Sequence, residues 1–158
     1  MLKVYIAAPF ARWSRAKRAR TLLRDLGFVV DSSWIDDAER AGGRESDNPG
    51  LMQDALARND ADVSTSDVVL AMTWHGEGGE MFAEARLALL RGIPVLWVGE
   101  RFIGSSFRAG SERFTEMLDA FARLEEMRQK YLANTLPAPP DDDEPAMGDA
   151  PLFVGGAP

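Results

Sequence analysis

The feature that most constrains the fold is a set of four short apolar runs separated by segments of helical character. The runs are rich in Val, Ile and Leu and cover residues 2–8, 28–30, 67–72 and 94–98. Strands that are buried on both faces of a parallel sheet have this continuous apolar character. The segments between them predict helices, and these cover residues 11–26, about 50–60 and 80–91. Gly27 and Gly92 follow the first and the last of these helices and favour termination there.

Strands that alternate with helices imply βαβ units with right-handed crossovers. We therefore predict an α/β protein, a three-layer sandwich of the flavodoxin-like or Rossmann-like type, with helices on both faces of a parallel sheet of four to five strands. The fifth strand is expected near 113–115 or 102–107. The pattern also predicts a polar loop over 36–48 and a final amphipathic helix over 111–131.

The composition changes sharply after residue 135. Residues 136–158 hold six of the nine prolines and five acidic residues without a basic one. Such a segment buries too little apolar surface to offset the entropy cost of ordering it. We expect a folded domain over 1–135 and a tail over 136–158 that is disordered or docked on a neighbouring molecule. Removing the five tail acids from the net charge of −7 leaves −2 for the domain.

Composition also excludes several function classes. The chain has no Cys, so it has no thiolate nucleophile and no cysteine-based zinc site, and its one histidine, His75, cannot form a histidine-rich metal centre. The negative net charge argues against a nucleic-acid polymer as partner. No apolar run approaches the roughly 20 residues that span a bilayer, and the opening apolar run is too short for a signal sequence. We expect a cytoplasmic protein that does not bind membranes.

Candidate functional residues gather in the loops after the predicted strands, because open α/β sheets bind ligands beyond the carboxyl ends of their strands. These loops are residues 8–10, 32–36, 73–79 and 99–102. His75 is either a hydrogen-bonded loop residue or a ligand contact. The candidates for substrate binding in these loops are Pro9, Phe10, Trp74, His75, Gly78 and Gly79.

Three glutamates lie near the glycine-rich loop. Glu80 and Glu84 are four residues apart and share one helical face, and Glu77 precedes them. Clustered carboxylates raise one another's pKa and can supply an acid and a nucleophile for glycosyl chemistry. The alternative is a set of exposed acids in the first helical turn, where the helix dipole favours them.

Each of the remaining candidates also has two interpretations. Tyr5, inside the first strand, is either a half-buried aromatic residue or a hydroxyl that holds a carboxylate at the sheet edge. Asp60 lies at the predicted end of a helix, where an acid is unfavourable, and is either functional or a solvated loop residue. Arg12 and Arg15, near the start of the first helix, are either a phosphate site or solvated surface.

Taken together, three motifs resemble the nucleoside 2-deoxyribosyltransferase family over about residues 2–125. The first is the strand and turn KVYIAAPF at 3–10. The second is Asn59-Asp60, followed after six residues by Asp67 and an apolar strand. The third is Gly78-Gly79, then Glu84, then the GIPV segment at 92–95.

The resemblance implies the chemistry of N-glycosidic bond cleavage in 2′-deoxynucleosides. Glu84 would be the nucleophile that forms a covalent deoxyribosyl intermediate, and the sugar would pass to a second base or to water. Tyr5 would orient Glu84, and Asp60 would contact or protonate the base. Gly78 and Gly79 would allow the backbone to approach the ligand. A carboxylate nucleophile requires no metal or organic cofactor, and the family pattern implies a homo-oligomer.

One departure from the family pattern keeps the substrate open. The transferases carry an Asp six residues before the nucleophile, and here that position is Gly78; Glu77, Glu80 and His75 are the available substitutes. The absence of that Asp favours the related nucleoside 5′-monophosphate N-glycosidases, in which Arg12 and Arg15 would bind the phosphate.

Two other function classes stay open beside the enzyme. The first is a non-catalytic nucleotide-binding module on the same fold. The second is a flavodoxin-like cofactor carrier, which is disfavoured because no hydroxyl-rich phosphate loop follows the first strand (PFAR at 9–12). In either enzyme interpretation the ligand is a small nucleoside or nucleotide.

Overall fold

A computed structural model describes residues 1–44, 48–73, 79–99 and 110–135. Its five strands form one fully parallel sheet in the order β2-β1-β3-β4-β5. The strands are β1 (Lys3–Ala7), β2 (Val29–Val30), β3 (Val68–Met72), β4 (Val95–Val98) and β5 (Ser111–Phe114). The helices are a short 3₁₀ turn (Phe10–Arg12), α1 (Trp13–Asp25), α2 (Trp34–Arg40), α3 (Pro49–Ser64), α4 (Gly79–Leu90) and α5 (Met117–Thr135). The predicted three-layer α/β fold is confirmed.

The core follows from the apolar runs of the sequence. Every residue of β3 and β4 is buried, as are four of the five residues of β1. These strands occupy the middle of the sheet, where helices cover both faces and apolar side chains are favoured on each. The connection after β4 also depends on Gly99, whose φ is +132° and whose Cα lies so close to Thr73 that a Cβ would meet the threonine carbonyl oxygen at 2.5 Å.

Two of the predicted segments are wrong. The polar loop expected over 36–48 contains most of α2, because Trp34, Ile35 and Ala38 are buried and give an otherwise charged segment an apolar face. The final helix expected from residue 111 starts instead at Met117. Residues 111–114 form β5, in parallel register with β4, which agrees with the fifth strand expected near 113–115.

Helix α3 is longer than the predicted segment of about 50–60, and its start is explained by its cap. The Asn48 side chain accepts hydrogen bonds from the backbone N–H groups of Gly50 and Leu51, and Pro49 occupies the first turn. The helix continues to Ser64, so Asp60 lies within it, one turn before its end.

Several predictions fall on residues that the structure does not describe. The alternative strand at 102–107 and the tail at 136–158 lie outside the described residues, and the domain boundary at 135 stays a prediction. Within the described ranges, none of the helices combines the length and apolar character needed to cross a membrane.

Candidate functional site

Glu84 is the centre of the candidate site. It lies on α4 and is 8% exposed, which is unusual for a carboxylate because burial normally requires a paired cation. The Tyr5 hydroxyl donates to Glu84 Oε1 at 2.6 Å, and Asn59 Nδ2 donates to the same oxygen at 3.2 Å. Three elements, β1, α3 and α4, therefore meet at one carboxyl group.

The packing of the sheet explains why these residues meet. Tyr5 is in β1, which pairs with β3 in the interior of the sheet, and its side chain is fully buried. Helix α4 packs on β1, β3 and β4 and also against α3. This arrangement brings the Tyr5 hydroxyl of β1 and the Asn59 amide of α3 to the Glu84 carboxyl group of α4.

The Glu84 carboxyl has an unusual proton affinity. Burial is the main cause, and it raises the pKa of Glu84 to about 8, with further increases from the nearby charges of Glu80 and Asp60. The hydrogen bonds from Tyr5 and Asn59 act in the opposite direction because they stabilise the carboxylate. Burial and the neighbouring Glu84 charge also raise the pKa of Tyr5, so its hydroxyl keeps its proton.

The hydrogen bonds distinguish the two oxygens of this carboxyl group. Within the described residues, both donors contact Oε1 of Glu84. The ionised group therefore has one oxygen held by neutral donors and a second oxygen, Oε2, that can attack an electrophile. A desolvated carboxylate in this arrangement is a suitable nucleophile for a sugar carbon.

A cavity of about 400 Å³ lies in front of Glu84. Its volume is in the range of small-molecule sites. Residues from the loop after β1, from α2 and the turn after it, and from α3 and α4 form its lining. They are Ala8, Phe10, Trp34, Asp37, Arg40, Ala41, Arg44, Leu51, Met52, Ala55, Leu56, Arg58, Asn59, Glu80 and Glu84.

The cavity combines aromatic and charged walls. The rings of Phe10 and Trp34 lie side by side with centroids 6.3 Å apart, and the Trp34 indole N–H donates to the Ile6 carbonyl oxygen at 2.8 Å. Asp37 accepts hydrogen bonds from the guanidinium groups of Arg40 and Arg58. A planar apolar ligand with polar substituents is chemically suited to such walls.

The sequence candidates fall into three groups. Tyr5, Phe10, Glu80 and Glu84 lie at the cavity or contact a residue that lines it. The candidates Pro9, Arg12, Asp60 and Gly79 are not among the lining residues, and Asp60 is exposed on α3. Trp74, His75 and Gly78 lie outside the described residues, as does Glu77.

Several cavity residues had not been singled out from the sequence. Asn59 was noted only as part of the Asn59-Asp60 pair, yet it is the member of that pair that contacts Glu84. Asp37, Arg40 and Arg44 fell in a segment interpreted as a loop. The available signal for that helix was the apolar set Trp34, Ile35 and Ala38, in which Ala38 lies four residues after Trp34 and three after Ile35.

Within the described residues, no group of three or more His, Cys, Asp or Glu side chains is arranged to hold a metal ion. The charged side chains that line the cavity are Asp37, Arg40, Arg44, Arg58, Glu80 and Glu84, and the Asp37 carboxylate pairs with Arg40 and Arg58.

The architecture is similar to that of two solved proteins that bear on the site. A 2-deoxyribosyltransferase from Bacillus psychrosaccharolyticus matches 77% of this chain and 95% of its own, with a TM-score of 0.59 and 18% identity. The CMP N-glycosidase BcmB of Clostridium botulinum matches 78% of this chain and 98% of its own, with a TM-score of 0.52 and 12% identity. The chain has the 2-deoxyribosyltransferase fold. At the level of the fold, the resemblance expected from the three motifs is confirmed.

These similarities concern the arrangement of the backbone. No protein-family model matches the chain, and no curated protein sequence does so either. The assignment of chemistry to the 2-deoxyribosyltransferase fold therefore depends on the residues around Glu84, because one fold supports many functions.

Proposed function

We propose that the protein cleaves the N-glycosidic bond of a 2′-deoxynucleoside, with Glu84 as the nucleophile. One observation carries the proposal: a buried carboxyl group, held on one oxygen by Tyr5 and Asn59, faces a cavity of about 400 Å³. The similarity to the fold of a 2-deoxyribosyltransferase and of a CMP N-glycosidase supports it.

The reaction takes place in two displacements. In the first, Glu84 Oε2 forms a bond to the anomeric carbon while the bond between that carbon and the base nitrogen breaks, and the base leaves with the electron pair. In the second, water or another base attacks the same carbon and releases the carboxylate. The two inversions together retain the anomeric configuration. The Glu84 carboxylate beside the sugar stabilises the oxocarbenium-like transition states.

Tyr5 and Asn59 have positioning roles in this proposal. Their hydrogen bonds hold Oε1 and favour the ionised form of a carboxyl group that burial would otherwise keep protonated. Glu80 lines the same cavity and is a candidate donor of the proton that the departing base accepts. We expect activity to rise with pH as Glu84 ionises through its pKa of about 8.

The test is a direct assay for free base. The protein is incubated with each common 2′-deoxynucleoside, alone and with a second base, and the products are separated by liquid chromatography. We expect base release or base exchange in the wild type and none with Glu84→Ala. Turnover that survives Glu84→Ala in a folded variant contradicts the mechanism.

The covalent intermediate has a test of its own. A 2′-deoxy-2′-fluoro nucleoside destabilises the oxocarbenium-like transition state and slows the second step, so that the intermediate accumulates. Mass spectrometry of the digested protein should then show the added sugar on the peptide that contains Glu84. If base is released without an adduct at Glu84, a direct attack by water replaces the proposed two-step reaction.

A second candidate function is hydrolysis of a nucleoside 5′-monophosphate. The observation that favours it is the presence of Arg40, Arg44 and Arg58 in the cavity lining, since arginine binds phosphate well. Adding each monophosphate to the same assay distinguishes the two candidates. Ligand binding without base release, unchanged in Glu84→Ala, would instead support a non-catalytic nucleotide-binding module.

A further inference from the structure

Asn59 carries a buried polar atom that lacks a partner. The residue is 7% exposed, and its Oδ1 accepts no hydrogen bond from the described residues. The other end of the same amide is used, because Nδ2 donates to Glu84 Oε1 at 3.2 Å. Buried polar atoms of native proteins are almost always paired, so an unpaired acceptor beside the candidate nucleophile indicates a missing donor.

The position of Asn59 in the chain also favours a role for its amide. Asn59 lies inside α3, where asparagine is a poorer helix former than leucine or alanine. Of the residues of α3, only Asn59 and Val63 are buried, and an apolar side chain is the usual choice for such a position. Helix propensity and burial both disfavour the amide, which is the pattern expected at a functional site.

The contacts of Glu84 fix the direction in which this amide faces. Glu84 Oε1 also accepts from the Tyr5 hydroxyl at 2.6 Å, and it remains an acceptor whether or not Oε2 carries a proton. Asn59 therefore presents Nδ2 to this oxygen, and Oδ1 is left on the other side of the amide. Asn59 and Glu84 both line the cavity of about 400 Å³, so a molecule that enters this cavity is a source of the missing donor.

The local geometry allows a ligand to reach Oδ1. This oxygen has less than 1 Å² of accessible surface, so bulk water does not pair with it. The terminal torsion of asparagine is broad, however, and the 3.2 Å bond to Glu84 is at the long end of the normal range. A small turn of the amide brings Oδ1 toward the cavity, and hydrogen bonds of active sites commonly tighten in this way when substrate binds.

The stereochemistry of a nucleoside decides which group of the ligand lies next to Asn59. In the proposed reaction Glu84 attacks the anomeric carbon on the face opposite to the departing base, because each displacement inverts that carbon. In a β-nucleoside the base and the 5′ carbon lie on one face of the sugar ring, and the 2′ and 3′ hydroxyl groups lie on the other. The attacking carboxylate and these hydroxyl groups therefore share a face. Asn59, which is bonded to that carboxylate, lies beside the hydroxyl groups and away from the base.

We propose that Asn59 Oδ1 accepts a hydrogen bond from a hydroxyl group of the sugar, the 2′ or the 3′ hydroxyl, while its Nδ2 holds Glu84. This inference rests on the proposed function and makes Asn59 a substrate-binding residue. One amide then contacts both reactants and fixes the sugar relative to the nucleophile. The same contact selects the sugar, because a site with a buried acceptor rejects analogues that leave this acceptor unpaired.

Four adenine nucleosides test the proposal and identify the hydroxyl group. 2′-Deoxyadenosine is the reference, 2′,3′-dideoxyadenosine lacks the 3′ hydroxyl, and adenosine adds the 2′ hydroxyl. 2′,5′-Dideoxyadenosine lacks the 5′ hydroxyl, which lies on the same face as the base, and is the control compound. If the wild type releases another base, the nucleosides of that base replace this series.

The measured quantity is kcat/KM for base release, with the wild type, Asn59→Ala, Asn59→Asp and Tyr5→Phe. Each compound is compared with itself across the variants, so the intrinsic reactivity of its glycosidic bond cancels. Tyr5→Phe is the matched control, because it removes the other donor to Glu84 Oε1 but no acceptor. Asn59→Leu, which is similar in size and has no polar atom, replaces the alanine variant if that variant does not fold.

We expect Asn59→Ala to lower the preference for the compound with the donating hydroxyl, relative to its partner without it, by about 10-fold or more. A change in the ratio of 2′-deoxyadenosine to 2′,3′-dideoxyadenosine assigns the 3′ hydroxyl, and a change in the ratio of adenosine to 2′-deoxyadenosine assigns the 2′ hydroxyl. Asn59→Asp keeps an oxygen acceptor and should retain the preference at a lower overall activity. Tyr5→Phe should change both ratios by less than about 3-fold.

Three outcomes overturn the inference and leave the proposed function intact. The first is base release in which Asn59→Ala changes neither ratio. The second is an equal change of the ratios in Asn59→Ala and Tyr5→Phe, which would assign the effect to the placement of Glu84. The third is a change of the same size for 2′,5′-dideoxyadenosine, because Asn59 would then not distinguish the two faces of the sugar.

Failure of the proposed function is recognised separately. If no nucleoside releases its base, calorimetry measures the binding of the same four compounds to the wild type and to Asn59→Ala. Tighter binding of the compound with one more hydroxyl, lost in Asn59→Ala, supports the sugar contact without the reaction. Binding ratios that are the same in both proteins overturn it.

Discussion

Two glutamates of this molecule have opposite surroundings. Glu112, in β5, accepts hydrogen bonds from Nε and Nη2 of Arg123, and this arginine lowers the pKa of the carboxyl group. Glu84, on α4, accepts hydrogen bonds from the neutral donors Tyr5 and Asn59, and burial raises its pKa to about 8.

The difference separates a structural from a functional carboxylate. At Glu112 the ion pair satisfies both oxygens and joins β5 to α5, so the charge is neutralised where it lies. At Glu84 no cation among the described residues compensates the cost of burial, and Oε2 accepts no hydrogen bond from those residues. A buried acid whose surroundings destabilise its ionised form is characteristic of functional sites.

The largest expected effect is the contrast between Glu84→Gln and Glu112→Gln in base release. The first removes the nucleophile with almost no change in shape and should lower kcat/KM by about 1,000-fold or more. The second removes a charge far from the reacting atoms and should leave kcat/KM within about 2-fold. If both variants lose activity equally, the distinction between the two glutamates is wrong.

The pH dependence of stability should also distinguish Glu84. Between about pH 4.5, where the unfolded carboxyl group titrates, and about pH 8, the folded protein keeps a proton that the unfolded chain has lost. The contribution of Glu84 to the free energy of unfolding is therefore highest below pH 4.5. It falls by at most about 1.4 kcal/mol per pH unit between pH 4.5 and pH 8. Urea unfolding at pH 5, 6, 7 and 8 should show the wild type losing stability relative to Glu84→Gln, and a constant difference would contradict the raised pKa.

Tyr5→Phe sharpens the comparison by removing one donor. The Tyr5 hydrogen bond lowers the pKa of Glu84, so its loss should raise that pKa and move the rise in activity to higher pH. We expect kcat/KM at pH 7 to fall by about 10- to 100-fold and to recover partly at higher pH. Tyr131→Phe on α5 is the matched control, and an unchanged pH profile in Tyr5→Phe would exclude the positioning role.

The neighbouring Asn59 and Asp60 provide a further test. Asn59→Asp places a second carboxylate beside Glu84, which should raise the pKa of Glu84 and lower activity at pH 7 by about 10-fold. Asp60→Asn removes a distant repulsion that raises this pKa, so activity at pH 7 should stay equal or increase slightly. A large loss of activity in Asp60→Asn would instead support the role that the family resemblance implies for Asp60, which is to contact or protonate the base.

The smallest expected effect is the change in stability when the ion pair between Glu112 and Arg123 is removed. Glu112→Gln removes an ion pair whose side chains are 46% and 27% exposed, so solvent screening limits the cost to about 1 kcal/mol or less. Because the Glu112 pKa is lowered in the folded protein, this contribution is present above about pH 4.5 and is lost as the pH falls. Thermal unfolding at pH 7 and pH 3 should show a difference only at the higher pH.

Prediction from the local sequence pattern succeeded for those strands and helices whose structure depends mainly on their own residues. The apolar runs at 67–72 and 94–98 became the buried strands β3 and β4, and Gly92 follows α4 as expected. Prediction failed for α2, because its charged residues mask three buried apolar positions. For residues 111–114 the sequence allowed both the start of the final helix and a fifth strand near 113–115, and the strand forms because β4 offers an edge to pair with. The homo-oligomer implied by the family pattern stays a prediction.

The sequence by itself determined the parallel sheet, the edge of that sheet where a ligand would lie, and the presence of Tyr5 and Glu84 near it, because strand and helix periodicity are local properties. Only the tertiary structure decided that Tyr5 and Glu84, 79 residues apart, share a hydrogen bond. It also decided that Asn59 and not Asp60 is the third partner, and that Arg40 of α2, Arg58 of α3 and Arg44 between these helices line the same cavity. These contacts depend on how α3 and α4 pack on each other and on the sheet, and the raised pKa of Glu84 depends on the burial which that packing produces.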